Sequence, residues 1–138
     1  MSPTAFIVLV LALVAASLVG WLLTRRSGVL TETTAAAEPE LVAALGLSST
    51  GPTVLHFSAP WCGPCVAVRK VVDTVCAELG GVAHVEIDVD ADPAAAARLS
   101  VLSLPTTFVF DASGHQRYRV SGVPKASDLQ SALRPLLP

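Results

Sequence analysis

The longest apolar stretch of the chain lies at its N-terminus. No charged side chain occurs from Met1 to Thr24, and the residues from Ala5 to Leu23 are almost all apolar. An α-helix rises about 1.5 Å per residue, so about 20 apolar residues cross the ~30 Å hydrocarbon core of a bilayer. The pattern therefore predicts one transmembrane helix at residues 4–24, within an anchor that comprises residues 1–26.

A cleaved signal peptide is the alternative for this segment. No Lys or Arg precedes the apolar run, and the run continues to Leu23, past the small residues at 15–17. Both features favour a retained anchor over a cleaved leader. Arg25 and Arg26 follow directly, and positive charge beside a membrane helix tends to stay on the cytoplasmic side. We therefore expect a single-pass protein of the cell membrane whose remaining chain faces the cytoplasm.

The pattern changes after the anchor. Residues 27–39 are polar and rich in alanine without strong periodicity, which predicts a linker that holds the following domain off the membrane, with 29–31 as an optional edge strand. A helix is predicted from Glu38 to Leu47, because Pro39 suits a first turn and an apolar stripe follows it. The folded domain is predicted to comprise residues 40–138, and 138 residues leave room for one such domain.

A strand, a helix and a second strand follow in order. Thr53 to Phe57 is a short, β-branched apolar run typical of a buried strand, and Val66 to Leu79 carries apolar residues at helical spacing. The alternation over residues 82–88 predicts another strand. Two strands joined by one crossover helix form a βαβ unit, so they should be parallel and right-handed. The fold class is therefore α/β.

The C-terminal part predicts a hairpin between two helices. A short helix extends from Asp92 to Leu99, and two β-rich runs, Thr106–Phe110 and His115–Val120, flank the turn at 111–114. A final helix is predicted from Lys125 to Leu136.

Two cysteines lie at the junction between the first buried strand and the long helix, in the run Trp61-Cys62-Gly63-Pro64-Cys65. The first N–H groups of a helix lack intrahelical partners and carry partial positive charge. This should lower the pKa of the Cys62 thiol and make Cys62 the nucleophile. Cys65, one turn further, is less exposed and can attack a mixed disulfide on Cys62. Pro64 lies in the first turn, where its missing N–H costs little.

A zinc site is the alternative for a C-x-x-C pair. Zinc takes four tetrahedral ligands, or three and a water, and Cys62, Cys65 and His56 would be the available set. The Trp before the pair and the Gly-Pro within it favour redox chemistry instead. We therefore expect no metal and no organic cofactor, only a redox-active disulfide between Cys62 and Cys65.

The stretch from Phe57 to Cys65 resembles the active site of thioredoxins, whose signature is WCGPC. Leu104-Pro105-Thr106 is similar to the cis-proline loop of that family, and Gly122 follows the last strand as in the family. The resemblance covers residues 54–137. It implies a thioredoxin-like fold, a central mixed β-sheet flanked by helices, here preceded by one transmembrane helix.

The resemblance also implies how a substrate is bound. Pro105 should be cis and pack against the cysteines, which leaves the backbone of Leu104 free to pair with an extended substrate as an added strand. Trp61 should form an apolar rim, and Gly-Pro between the cysteines is typical of reducing members. Gly122 either admits a partner's backbone or is a simple turn. The predicted substrate-binding residues are Trp61, Gly63, Pro64, Leu104, Pro105, Thr106 and Gly122.

Two histidines depart from the family pattern. His56 stands six residues before Cys62, where thioredoxins usually have a buried acid that manages the Cys65 proton, and His84 stands where they often have a lysine. An imidazole titrates near neutral pH. Our hypothesis is that His56 accepts the Cys65 proton, if necessary through water, with His84 secondary; the alternative is an ordinary core histidine. Cys76, the third cysteine, is interpreted as a buried core thiol.

Charge and motif together define the predicted function. Beyond residue 26 the chain has seven Lys and Arg residues and eleven Asp and Glu residues, and it has no basic stripe. The sequence therefore gives no support for nucleic-acid binding. We predict a membrane-tethered oxidoreductase that reduces protein disulfides and is recharged by an upstream dithiol reductant. The alternatives are an outward-facing redox protein for exported proteins or cytochrome maturation, and a non-catalytic binding module. The resemblance points to the opposite orientation, because many membrane-tethered relatives in this family work on the outer face of the membrane.

Overall fold

The computed structural model describes residues 3–25 and 27–138, so Met1, Ser2 and Arg26 lie outside the described residues. Arg26 is one of the two charges behind the predicted orientation. The N-terminal helix α1, Pro3–Thr24, has 22 residues, none of them buried. At about 1.5 Å per residue it is long enough to span a bilayer. A membrane anchor and an N-terminal signal sequence both have this length and composition.

The remaining elements form one mixed sheet with helices on both faces. The five strands are β1 Thr31–Ala36, β2 Thr53–Ser58, β3 Ala83–Asp88, β4 Thr106–Phe110 and β5 His115–Ser121. The helices after α1 are α2 Pro39–Ala44, α3 Gly63–Leu79, α4 Pro93–Arg98 and α5 Ala126–Leu133, followed by a 3₁₀ turn at Arg134–Leu136.

The strand order is β1-β5-β4-β2-β3. Strands β2 and β3 are parallel and joined through α3, while the other three pairs are antiparallel. The predicted βαβ unit, the hairpin and the mixed α/β sheet are therefore confirmed.

The segment predicted as a linker, residues 27–39, contains strand β1. Thr31 pairs with Arg119 and Ala36 pairs with His115, so β1 extends the sheet along the free edge of β5. Much of the segment expected to be an irregular connector is thus a strand of the sheet, and this strand begins at residue 31 rather than 29. Its threonines suit a strand, and the unpaired backbone groups of an edge offer a template for pairing.

Two apolar layers pack against the sheet. Between the sheet and α3 with α5 lies one cluster, which consists of Val54, Val68, Val72, Val75, Val109, Leu129 and Leu133. On the other face, Leu55, Phe57, Phe108 and Phe110 pack with residues of α2 and α4. Because side chains alternate along a strand, Val54, His56 and Ser58 of β2 face α3. Strand β2 is buried at every position and ends at Ser58, directly before the cysteine motif.

Candidate active site

The two cysteines lie where helix α3 begins. Cys62 is the N-cap residue, Gly63 is the first helical residue, and Pro64 lies in the first turn, where no N–H is needed. A disulfide joins Cys62 to Cys65. The relative exposure is 8% for Cys62 and 2% for Cys65. Cys62 is therefore the more accessible of the two cysteines, at the end of the helix where a negative charge is stabilised.

The cis-proline loop lies beside the disulfide. The Leu104–Pro105 peptide is cis, as the resemblance implied. Leu104 packs with Val89 against the cluster formed by Ala59, Cys62 and Cys65. The Thr106 hydroxyl donates to the Ser103 carbonyl oxygen at 2.7 Å, which ties the end of the loop to the start of β4.

Gly122 contacts this loop through the backbone. Its N–H donates to the Pro105 carbonyl oxygen at 2.9 Å. Its φ is +92°, a conformation that favours glycine, and a Cβ added there would lie 3.2 Å from the Gly28 nitrogen and 3.3 Å from the Ser27 Cβ. The open side of Gly122 is therefore occupied by the chain's own residues just after α1.

An exposed apolar rim borders the cysteines. Trp61 is 69% exposed, and its indole N–H donates to the Asp90 carboxylate at 3.1 Å. Leu102 is 94% exposed, and sequence analysis did not identify it. A groove of about 220 Å³ lies between them, lined also by Leu104 and Val101. The signal available in the sequence was the place of Leu102 three residues before Pro105.

His56 is fully buried within a chain of polar contacts. Its Nδ1 lies 3.0 Å from His84 Nε2, and His84 Nδ1 lies 2.9 Å from the Asp73 carboxylate. A carboxylate only accepts, so His84 Nδ1 carries a proton. When His84 carries only this proton, its Nε2 accepts from His56 Nδ1–H. This assignment leaves His56 Nε2 as an acceptor; it has no hydrogen-bond partner and lies 3.6 Å from Glu86 Oε1.

The protonation states of His56 and Glu86 follow from their surroundings. Burial lowers the pKa of His56 to about 4, although the Glu86 carboxylate acts in the opposite direction. The Arg69 guanidinium, which donates at 2.8 and 2.5 Å, lowers the pKa of Glu86 to about 2. His56 is thus neutral at pH 7, and the expectation that it titrates near neutral pH is wrong. No hydrogen bond joins His56 to Cys65 in the described structure.

Cys76 lies on the flank of α3, half-buried beside the valine cluster. Burial, with a contribution from Asp73, raises the pKa of its thiol to about 11. The thiol is therefore protonated at neutral pH. Within residues 3–25 and 27–138, no group of three or more His, Cys, Asp and Glu side chains is placed to hold a metal ion.

A C-x-x-C disulfide at a helix N-terminus, flanked by a cis-proline loop on a mixed sheet, defines a dithiol–disulfide oxidoreductase. Comparison with known proteins gives the same class. The family model for thioredoxin matches residues 32–135, which is most of the chain. The chain belongs to the thioredoxin family.

Individual thioredoxins are similar to this chain in sequence and in structure. A thioredoxin of Mycolicibacterium smegmatis is 43% identical over 67 residues, which cover 46% of this chain and 60% of that protein. The chloroplastic M-type thioredoxin of Chlamydomonas reinhardtii is 32% identical over 108 residues, or 78% of this chain and 77% of that protein. The structure of a mutant thioredoxin from Halobacterium salinarum NRC-1 superposes with a TM-score of 0.61 at 31% identity, covering 75% of this chain and 88% of that one.

Proposed function

We propose that the protein is a membrane-tethered protein-disulfide reductase in which Cys62 attacks the substrate and Cys65 resolves the intermediate. The observation that carries this proposal is the Cys62–Cys65 disulfide at the start of α3, with the more accessible cysteine at the N-cap. Gly63 and Pro64 shape the turn between the two sulfurs.

The reaction is a two-electron exchange. The Cys62 thiolate of the reduced protein attacks one sulfur of a substrate disulfide, forms a mixed disulfide and releases the other substrate sulfur as a thiolate, which takes up a proton. Cys65 then loses its proton and attacks the Cys62 sulfur. This step restores the Cys62–Cys65 bond and releases the second substrate sulfur, so the substrate is reduced and the protein is oxidised. An upstream dithiol reductant recharges the pair, and no organic cofactor is needed.

The substrate lies across the cis-proline loop. Leu104 precedes β4 and pairs with no strand in the described sheet, so its backbone is available to an extended segment. Trp61 supplies an apolar wall, and Pro105 and Thr106 form the floor of this binding site. Gly122 supports the floor through its hydrogen bond to Pro105, while Ser27 and Gly28 cover its open side. The carboxylate of Asp90 holds the indole of Trp61 and thereby fixes the wall.

His56 relays the Cys65 proton as a neutral base. A water within the site carries the proton to the free acceptor His56 Nε2, while His56 Nδ1–H passes its own proton to His84 Nε2. His84 Nδ1–H in turn faces Asp73, which is 61% exposed and returns the proton to solvent. Because the pKa of His56 is low, protonated His56 is only a transient species in this relay.

Helix α1 anchors the protein, with residues 1–26 as the anchor and the remainder as one redox domain. Its uniform exposure and apolar length support a span, and Arg25 with Arg26 favours the cytoplasmic face for the domain. The alternative, an outward-facing redox protein for exported proteins or cytochrome maturation, has the same chemistry on the other side of the membrane.

A reductase assay tests the proposal. The full chain in lipid nanodiscs, recharged with dithiothreitol, should accelerate the reduction of insulin disulfides, and Cys62→Ser should abolish the acceleration. Cys76→Ser is the matched control and should retain full activity, because that thiol lies outside the site. Equal activity of Cys62→Ser and the unmodified chain would support the binding-module alternative instead.

A further inference from the structure

The tether between helix α1 and the folded domain is very short. Helix α1 ends at Thr24, and Gly28 already donates its N–H to the Ser121 carbonyl oxygen at 2.6 Å. An extended chain spans at most about 3.3–3.6 Å per residue, so Gly28 lies within about 14 Å of the end of the helix. The Ser27 N–H also donates to the Thr24 carbonyl oxygen, which tightens the turn further. The domain is therefore held directly beside the end of α1.

The register of the sheet shows which end of the domain is held there. Thr31, the first residue of β1, pairs with Arg119 near the end of β5. Ser121 pairs with Thr106, and Thr106 pairs with Phe57 at the end of β2. These pairs form one end of the sheet, which is also the end that carries the cysteines. Strands lie about 4.8 Å apart, so β1 and β2 are separated by about 15 Å across it.

The same residues contact the active-site loops directly. A Cβ added to Gly28 would lie 2.5 Å from the Val123 carbonyl oxygen, and Ser27 and Gly28 cover Gly122. Gly122 is itself bonded to Pro105. The turn at 111–114 lies at the opposite end of the sheet. Chain connectivity thus places the active site at the end of the sheet nearest to α1 and the hairpin turn at the opposite end.

We propose that the active-site end of the domain faces the bilayer, and that the substrate disulfide lies in a juxtamembrane segment of a membrane protein. This inference rests on the proposed function, since it requires a retained anchor and a reactive Cys62. A substrate disulfide far from the membrane would be out of reach of a domain that cannot move away from α1.

The charge and polarity of the site favour a protein segment over the lipid surface itself. Asp90 holds Trp61, and Asp88 and Asp92 lie beside it in the chain, so this rim carries negative charge that an anionic lipid surface would repel. The exposed Leu102 and the Leu104 backbone suit an extended apolar peptide, which gains main-chain hydrogen bonds there.

Disulfide probes at two heights test this inference. Single-span peptides would carry a disulfide loop either about five residues above the bilayer or at the end of a 30-residue EAAAK helix, roughly 45 Å above it. Both would be incorporated in liposomes with the pre-reduced full chain. We expect the near probe to be reduced at least about tenfold faster, because the short tether raises its effective concentration.

A spacer variant is the matched comparison. Thirty Gly and Ser residues inserted between Arg26 and Ser27 keep the Gly28–Ser121 bond but let the domain leave the surface, by roughly 30 Å on average. We expect the preference for the near probe to fall to about threefold or less. Equal rates for both probes with the unmodified chain would overturn the inference.

Two controls separate this outcome from failure of the proposed function. Carbonate extraction shows whether the chain is retained in the membrane, and a soluble disulfide shows whether Cys62 is active. Loss of either would refute the proposed function. Retention and activity without a height preference would refute the inference alone. Quenching of a label at Leu102 by lipid-borne quencher, again without a height preference, would instead identify lipid as the occupant.

Discussion

His56 and His84 are joined across neighbouring parallel strands, with His56 Nδ1 3.0 Å from His84 Nε2. One imidazole is fully buried and the other is bonded to the exposed carboxylate of Asp73. The pair therefore connects the buried face of β2 to the surface of α3. Burial of His56 should affect how stability depends on pH, and proton transfer through His56 should affect the rate at which the mixed disulfide is resolved.

The first prediction concerns stability and pH. The pKa of His56 is about 4 in the folded protein and 6.5 in the unfolded chain, so the unfolded chain binds the extra proton between these values. The stability contributed by the buried neutral imidazole is therefore fully present above pH 6.5 and is lost as the pH falls toward 4. From pH 7 to pH 4.5 this should remove about 2 to 3 kcal/mol of unfolding free energy.

His56→Gln should remove that part of the pH dependence, because glutamine does not titrate. Urea unfolding of the full chain in detergent, followed by Trp61 fluorescence in a Trp21→Phe background, measures it. His115→Gln, on the half-exposed end of β5, is the matched control for the loss of a histidine. If the unfolding free energy of His56→Gln changed with pH as much as that of the unmodified chain, His56 would not be held neutral by burial.

The second prediction concerns the proton relay. His56→Ala should slow resolution of the mixed disulfide by about 100-fold, within the usual range for a positioned proton acceptor. His84→Ala and Asp73→Asn should slow it less, by about tenfold, because solvent can partly replace them. Stopped-flow measurement of substrate thiol release from pH 6 to 8 gives these rates, with the exposed Asp128→Asn as control. An unchanged rate in His56→Ala would remove His56 from the mechanism.

The third prediction concerns the tether. Gly28 has φ +83°, and a Cβ there would collide with the Val123 carbonyl oxygen. Gly28→Ala should therefore detach the start of β1, and hydrogen exchange of the amides in Thr31–Ala36 should accelerate at least about tenfold. Gly46→Ala is the matched control, since Gly46 also has positive φ but nothing lies within 4 Å of the added Cβ. Equal exchange rates in the two variants would mean that the close approach of Gly28 to the Val123 carbonyl oxygen does not hold β1 in place.

The fourth prediction concerns the side of the membrane. In a Cys76→Ser variant after mild reduction, a membrane-impermeant thiol reagent should label Cys62 only after spheroplasts are permeabilised, because positive charge after α1 favours the cytoplasm. Labelling in intact spheroplasts would contradict this orientation and favour redox chemistry on exported proteins.

Local patterns predicted the parts of the fold that local chemistry determines. The apolar run before Cys62 and the helical spacing after it placed the cysteines at a strand-to-helix junction, and the cis Leu104–Pro105 peptide was implied by the family resemblance. Strand β1 was placed too early, at 29–31, and its length was not predicted, because its pairing depends on the free edge of β5, which is distant in sequence. A short run of threonine and alanine carries little periodicity of its own.

The properties of His56 could not be predicted for a similar reason. Its position six residues before Cys62 was evident, but its pKa depends on burial and on groups from β3 and α3: Glu86, His84 and Arg69. Only the register between β2 and β3 brings these together. The exposure of Leu102 likewise follows from the shape of its loop rather than from its residue type.

Cys62 should form a covalent intermediate with the substrate, and Cys65 should resolve it. Trapping with Cys65→Ser measures this step: the pre-reduced full chain in nanodiscs is mixed with an excess of insulin and analysed by non-reducing electrophoresis. We expect an adduct that dithiothreitol reverses and that is absent from the double variant Cys62→Ser/Cys65→Ser. No adduct from folded Cys65→Ser, or an equal adduct in the double variant, would show that Cys62 is not the attacking nucleophile.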